Sequence, residues 1–361
     1  MKNILVIRLD NMGDVLMSTP AVRALKEHFG AAITLLTSAA GASIAAHIPV
    51  VDAIITWEAP WVKGGDGADI GGMAARLAAM HFDAAVIFTV CTQNPLPAAM
   101  LAFMAGIPIR AAYCRENPYA LLTHWIPDAE PYETLRHQVL RDLSLAASLG
   151  AGMDNEDLSL QSNYPHEALR ARLKEAGVDT DKPYIVLNCG VSEAKRKYPA
   201  ASWDAVAREI VATTGMQVIC TGMPGDVTEA QRIAGACGPL GFSLAGRLPM
   251  EVFLSLVKHA ALVLTANTGP AHIAAALGTP VVVAYAKTNP QHTPWNGISS
   301  VLYFDVPLMI NSRNLAVRFV GRKYFSGDHR VATPENMVAE ALRLLRYRDN
   351  SIAESITCPN S

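Results

Sequence analysis

Apolar residues along this chain fall into two alternating patterns. Short runs rich in Val, Ile and Leu cover 4–9, 33–37, 53–57, 84–89 and 109–113, which predicts strands. Segments 20–29, 70–80 and 97–105 repeat their apolar positions at helical spacing, with Thr19 placed to cap and Pro20 to open the first of these. A longer amphipathic helix is predicted over 133–149, ending at Gly150. The polar, irregular stretch 151–164 then reads as a domain boundary. Beyond it the alternation restarts, with strands at 184–188, 217–221, 261–266 and 280–285 and helices at 201–214, 228–237 and 249–259. A last helix covers 334–347.

Strand–helix alternation implies parallel sheets with helices on both faces. The expected architecture is α/β, two doubly wound, Rossmann-like domains facing a central cleft. Their bounds are 1–160 and 161–330, followed by a terminal helix, 331–348, that packs back toward the N-terminal domain. Ligands in such sheets bind beyond the carboxyl ends of the strands, so the chemistry belongs in the loops that follow strands.

Composition narrows the classes. The chain has 361 residues, too many for one small core, and 51% of them are hydrophobic. Lys and Arg number 30 against 32 Asp and Glu, which argues against a nucleic-acid partner. Cys91, Cys114, Cys189, Cys220, Cys237 and Cys358 form no C-x-x-C pair, favouring reduced thiols in a cytoplasmic setting over disulfides or zinc. Residues 1–8 are a short strand without the apolar core of a signal peptide. Residues 260–286 lack charge, but Asn267, Gly269, Pro270, His272, Gly278 and Pro280 interrupt them, so a buried βαβ unit fits better than a membrane span. No strongly basic amphipathic helix is evident, so membrane contact, if any, is peripheral, at the inner membrane.

Five loops carry candidate chemistry. After the first strand, Gly13 permits close backbone approach and Asp14 follows at the cleft mouth. Asp14 fits either a general base or a helix cap, and Asp10 is a rival carboxylate. After the first strand of the second half, Gly190 precedes Lys195, Arg196 and Lys197, which suit phosphate or a solvated loop. Thr221, Gly222 and Asp226 shape either a nucleotide-pocket wall or a plain turn. Asn267, Thr268, Gly269, Pro270 and His272 form a strand–turn–helix start, where free amides and the helix dipole attract phosphate. A buried, Ala-rich connection with an ordinary cap is the plainer alternative there. Lys287 and Thr288 lie after the next strand and could add phosphate contacts. No G-x-G-x-x-G follows the first strand, and Walker A, H-E-x-x-H and G-x-S-x-G patterns are absent.

Together, Arg8…Gly13-Asp14-Val15…Thr19-Pro20, Arg196-x-Tyr198-Pro199 and Asn267-Thr268-Gly269-Pro270-x-His272-x-Ala-x-Ala-x-Gly278-x-Pro280 resemble glycosyltransferase family 9, the ADP-heptose:lipopolysaccharide heptosyltransferases. The resemblance implies a GT-B architecture with the donor held mainly by the C-terminal domain. It implies inversion at the sugar carbon with no essential metal and no cofactor besides the ADP-linked donor. Asp14 matches the family's proposed base, Arg196 a cation near the donor phosphates, Thr268 and Gly269 the helix-start phosphate contacts, and Asp226 an acid near the nucleoside. The acceptor would be a lipopolysaccharide-core or other surface-glycan hydroxyl. Asn267 stands where the family commonly has Asp, and Ala286-Lys287 where it commonly has Gly-Pro. Two other classes stay open at this point: a non-catalytic nucleotide-sugar-binding homologue and a GT-B-type epimerase.

Overall fold

The computed structural model describes residues 1–62, 69–152, 154–306, 312–325, 327 and 329–357, so Cys358 lies outside the described residues. The chain divides into two compact units, Met1–Gln161 with Arg313–Val320, and Ser162–Ser312 with Gly321–Ser361.

In the first unit the order is β1 (Asn3–Ile7), α1 (Met12–Met17), α2 (Thr19–Phe29), β2 (Ala32–Thr37), α3 (Ala39–Ala45), β3 (Ala53–Thr56), α4 (Ile70–Ala78), β4 (Ala84–Ile87), α5 (Leu96–Met104), β5 (Ile109–Cys114), β6 (His124–Pro127) and α6 (Gln138–Ser148). The strands form one sheet in the order β3-β2-β1-β4-β5-β6, every pairing parallel. The described residues of the second unit run α7 (His166–Glu175), β7 (Tyr184–Asn188), α8 (Ala200–Thr214), β8 (Gln217–Thr221), α9 (Val227–Ala236), β9 (Gly241–Ser243), α10 (Met250–His259), β10 (Leu262–Ala266), α11 (Gly269–Ala276), β11 (Val281–Ala286) and β12 (Ser299–Phe304), then α12 (Leu315–Tyr324) and α13 (Pro334–Thr357). Half of α12, through Val320, groups with the first unit. The second sheet is also all parallel, in the order β12-β11-β10-β7-β8-β9.

Both sheets have the doubly wound order with the first strand beside the fourth. Chain direction across each sheet reverses there, between β1 and β4 and between β7 and β10, and a crevice opens at the strand ends. The hydrophobic strand runs follow from this layering. Parallel strands covered on both faces have no polar side to show, so β4, β7, β8, β10 and β11 are buried at every residue. Cys91, Cys114, Cys189, Cys220 and Cys237 are free and buried in these layers.

Several boundaries differ from the pattern-based expectation. Residues 12–17, read as loop, are a helix whose Val15, Leu16 and Met17 are buried. The helix expected from 133 begins at Gln138. The Arg136 backbone and guanidinium are both drawn to the Glu130 carboxylate, and His137 Nδ1 accepts the Val139 N–H as a cap. Helix α7 and the edge strands β6, β9 and β12 went unread, because α7 buries only Leu169 and Leu173 and edge strands keep a mixed pattern. The terminal helix is grouped with the second unit. Met337, Val338, Ala341, Leu344 and Leu345 of α13 join the second unit's core beside Trp203 and Val206 of α8. Arg313–Val320 is grouped with the first unit, where Phe319 packs against Tyr132 at 5.0 Å.

Candidate functional site

The chemistry-bearing residues collect at the two strand-end crevices. In the first unit, Arg8 leaves β1 fully buried and meets three carboxylates. Its Nη2 donates to Asp14 Oδ1 at 3.2 Å, and its Nε lies 3.3 Å from Asp10 Oδ2 as an ion pair. Asp142, from α6, acts on the same guanidinium through space. Arg8 Nη1 is buried with no hydrogen-bond partner among the described residues. A buried cation is tolerable only when compensated, and the three acids provide that compensation.

Asp14 is the third residue of α1, and its Oδ2 accepts the Asn11 N–H at 3.2 Å. Asp14 thus caps its helix start through Oδ2, while its Oδ1 is held by Arg8 at the switch point. Gly13 is a buried position of α1. Asp10 is held from the β4 side, where Gln93 Nε2 donates to its Oδ1 at 2.5 Å. Burial raises the Asp10 carboxyl above the ordinary range.

Behind α1 lies a layer that the pattern of residues did not reveal. Ser18 Oγ is 2.7 Å from Asp142 Oδ2 and 3.0 Å from the Asp14 carbonyl. Gln138 Nε2 donates to Asp142 Oδ1 at 2.7 Å, and burial pushes the Asp142 carboxyl up to about 6. Arg141 grips Asp128 through two bonds of 2.8 and 2.9 Å and reaches Glu130 at 3.1 Å. Gln138, Arg141 and Asp142 lie on the buried face of α6 with Leu145 and Ala146. Polar residues at i, i+3 and i+4 on an otherwise apolar stripe were the available signal.

In the second unit the candidate residues do not all converge. Thr268 is the N-cap of α11, with Gly269 first and Pro270 second in the helix. The Thr268 N–H is spent on the Ala266 carbonyl at 2.8 Å, so it is not a phosphate donor. The Gly269 N–H donates to no described residue, and Pro270 has none to offer. The helix start thus presents one amide, not two.

Arg196 reaches this point: its Nη1 donates to the Asn267 carbonyl at 3.3 Å, and its Nε is buried without a hydrogen-bond partner among the described residues. Arg196 Nη2 also pairs with Glu193 at 3.3 Å, a carboxylate it shares with Lys195. Lys195 pairs with Glu193 at 2.7 Å and Lys197 with Glu229 at 2.7 Å. Lys287 pairs with the exposed Asp305 at 2.9 Å.

Asn267 is a clamp between strand ends. Its Oδ1 accepts the Ala286 N–H at 3.1 Å, and its Nδ2 donates to Thr288 Oγ1 at 3.3 Å. His272 is buried within α11. Asp226 accepts the Met223 N–H at 2.8 Å and lies over two glycines; a Cβ on Gly190 would stand 2.3 Å from Asp226 Oδ2, and one on Gly222 2.7 Å from Asp226 Cβ. Gly190 and Gly222 therefore make room for the carboxylate at the ends of β7 and β8. Among the described residues, no three His, Cys, Asp or Glu side chains group to hold a metal ion, and no helix is long and apolar enough to cross a membrane.

Two doubly wound parallel sheets, each with its polar residues at the switch point, define a GT-B-like glycosyltransferase fold. The solved structure of *E. coli* ADP-heptose lps heptosyltransferase II matches with a TM-score of 0.73 at 20% identity, over 97% of this chain and all of that one. The model of glycosyltransferase family 9 (heptosyltransferase) matches residues 72–306. The chain belongs to that family and is a glycosyltransferase. Lipopolysaccharide heptosyltransferase 2 of Escherichia coli is 25% identical over 307 residues, 81% of this chain and 84% of the relative. Lipooligosaccharide heptosyltransferase 2 of Haemophilus influenzae is 26% identical over 311 residues, 81% of this chain and 85% of the relative.

Proposed function

We propose that the protein transfers heptose or a related sugar from an ADP-linked donor, with inversion and without an essential metal, to a hydroxyl of a lipopolysaccharide core or other surface glycan. The reaction belongs in the cytoplasm, where the enzyme meets its acceptor at the inner membrane by peripheral contact. The acceptor hydroxyl attacks the anomeric carbon and gives its proton to Asp14, and the sugar–phosphate bond breaks to release ADP. The Gly269 amide, the dipole of α11 and Arg196 meet the charge growing on the diphosphate. Donors fixed in place before the reaction can each be worth about 3 kcal/mol in the transition state. Asp226 is assigned to the nucleoside and Asn267 to the strand-end frame beside the donor.

The observation that carries this reading is the Asp14 carboxylate at the end of β1, aimed by a buried guanidinium at 3.2 Å. Asp14→Asn keeps the size of the side chain and removes the base. Turnover of ADP-heptose with a core acceptor, followed by ADP release, should fall by about 100-fold or more, with ADP affinity within about twofold of wild type. Undiminished turnover removes Asp14 from the mechanism. Preference for a GDP-, UDP- or dTDP-sugar in the same assay removes the ADP donor.

A further inference from the structure

Residues 95–109 carry no polar side chain, and α5 lies within them. A helix that is apolar on every side normally lies inside a protein. Helix α5 does not. Ala98, Ala99, Leu101 and Ala102 face the core, while Met100, Phe103 and Met104 are 44%, 46% and 51% exposed. These three sit at i, i+3 and i+4 and form one outward stripe.

A fourth apolar group is fastened beside it. The Arg110 guanidinium packs on the Phe103 ring, 5.3 Å from its centroid. The same guanidinium donates to the carbonyls of Ala120 and Leu121 at 2.8 Å each, tying the 119–121 turn to the end of α5. Tyr119 in that turn is 81% exposed and has φ of 49°, a left-handed conformation that costs an aromatic residue energy. Its N–H is held by Asn117 Oδ1 at 2.9 Å. The turn is thus built to project a ring outward next to the methionine–phenylalanine stripe.

We propose that Met100, Phe103, Met104 and Tyr119 form a docking surface for a lipid bilayer. Together they expose on the order of 400–500 Å², at the upper end for a monomer's largest apolar patch and about half of the ~800 Å² per partner of a standard protein interface. A second copy of the chain would gain too little. Nine helical residues span only about 14 Å, too short to cross a bilayer but suited to lying in its interface. Met and Phe enter the acyl region, and the Tyr119 hydroxyl stays at the headgroups. The choice of a lipid occupant rests on the proposed glycolipid acceptor, which such a contact would bring within reach.

Flotation of the full chain with phosphatidylethanolamine–phosphatidylglycerol vesicles tests the surface without turnover. The wild type should bind. The triple variant Met100→Gln, Phe103→Gln, Met104→Gln should bind about tenfold or more weakly, because burial of three apolar side chains is lost. Raising salt to about 0.5 M should change wild-type binding by no more than about twofold, as screening does not touch apolar insertion. Since Phe103 supports Arg110, a second variant, Met100→Gln with Tyr119→Ser, leaves that contact in place and should also bind more weakly. Failure of the wild type to bind, equal binding by the variants, or loss of binding in salt overturns the proposal. A wild-type dimer that these substitutions abolish, seen by ultracentrifugation, overturns it in favour of a second copy. Both variants should turn over a water-soluble acceptor lacking acyl chains at the wild-type rate, and a loss in that assay also overturns the proposal. Inactivity of the wild type there counts against the proposed function and leaves the vesicle result standing.

Discussion

At the scale of single residues, Arg8 and Asp142 do what local sequence did not disclose. Asp14 stood out because it follows a glycine after the first strand. Part of the charge around its Arg8 partner comes from α6, more than a hundred residues later, where Asp142 also reaches Ser18 at 2.7 Å. Asp142 also makes a measurable prediction. Its folded carboxyl titrates at about 6, raised by burial, against an ordinary 3.8. Between these values the folded state holds the proton more tightly than the unfolded chain, so stability falls as pH rises. The loss is absent below about pH 4 and complete above about pH 6, and amounts to about 3 kcal/mol. In Asp142→Asn the Gln138 amide can rotate to offer Oε1, which has no hydrogen-bond partner among the described residues. Urea unfolding at pH 4 and pH 7 should show the variant gaining on wild type by roughly that amount. A constant difference between the two pH values contradicts the assignment.

At the scale of elements, the strand–turn–helix start at α11 was legible because its punctuation is local. Thr268, Gly269 and Pro270 specify a cap and a helix start wherever they occur in this order. Which amides stay open was not legible, since the Thr268 N–H is taken by the Ala266 carbonyl only once the turn has formed. Likewise Lys195, Arg196 and Lys197 are neighbours in sequence, yet Lys195 and Arg196 share Glu193 while Lys197 pairs with Glu229, and only Arg196 of the three also bonds the Asn267 carbonyl. Edge strand β9 shows how close packing constrains one element. A Cβ at Gly241 would lie 2.0 Å from the Ala234 carbonyl oxygen of α9, a backbone atom that cannot swing aside. Gly241→Ala should therefore lower unfolding stability by about 2–4 kcal/mol in denaturant titration, whereas a loss under about 0.5 kcal/mol would mean that α9 and β9 separate easily.

At the scale of the whole molecule, the two units repeat one topology with different chemistry at the switch point: acids around an arginine in the first, a helix start with Arg196 in the second. This division predicts where a nucleotide acts. Saturating ADP should slow amide exchange at residues 188–198, 222–226 and 267–272, with little change at residues 4–18 and 138–148, when followed by mass spectrometry. Equal protection of both sets would contradict the assignment of ADP to the second unit's strand ends.

The alternation of apolar runs and helical stripes was enough to specify layered α/β structure, because a parallel strand buried on both faces leaves a continuous apolar mark. Gly13-Asp14 and Thr268-Gly269-Pro270 were readable for a related reason: glycine, proline and capping residues act on their own backbone. Tertiary structure alone decided which side chains share charge. Asp142 joins Arg8, Asp10 and Asp14 only after α6 packs on α2, and electrostatic energy depends on distance through space, not along the chain.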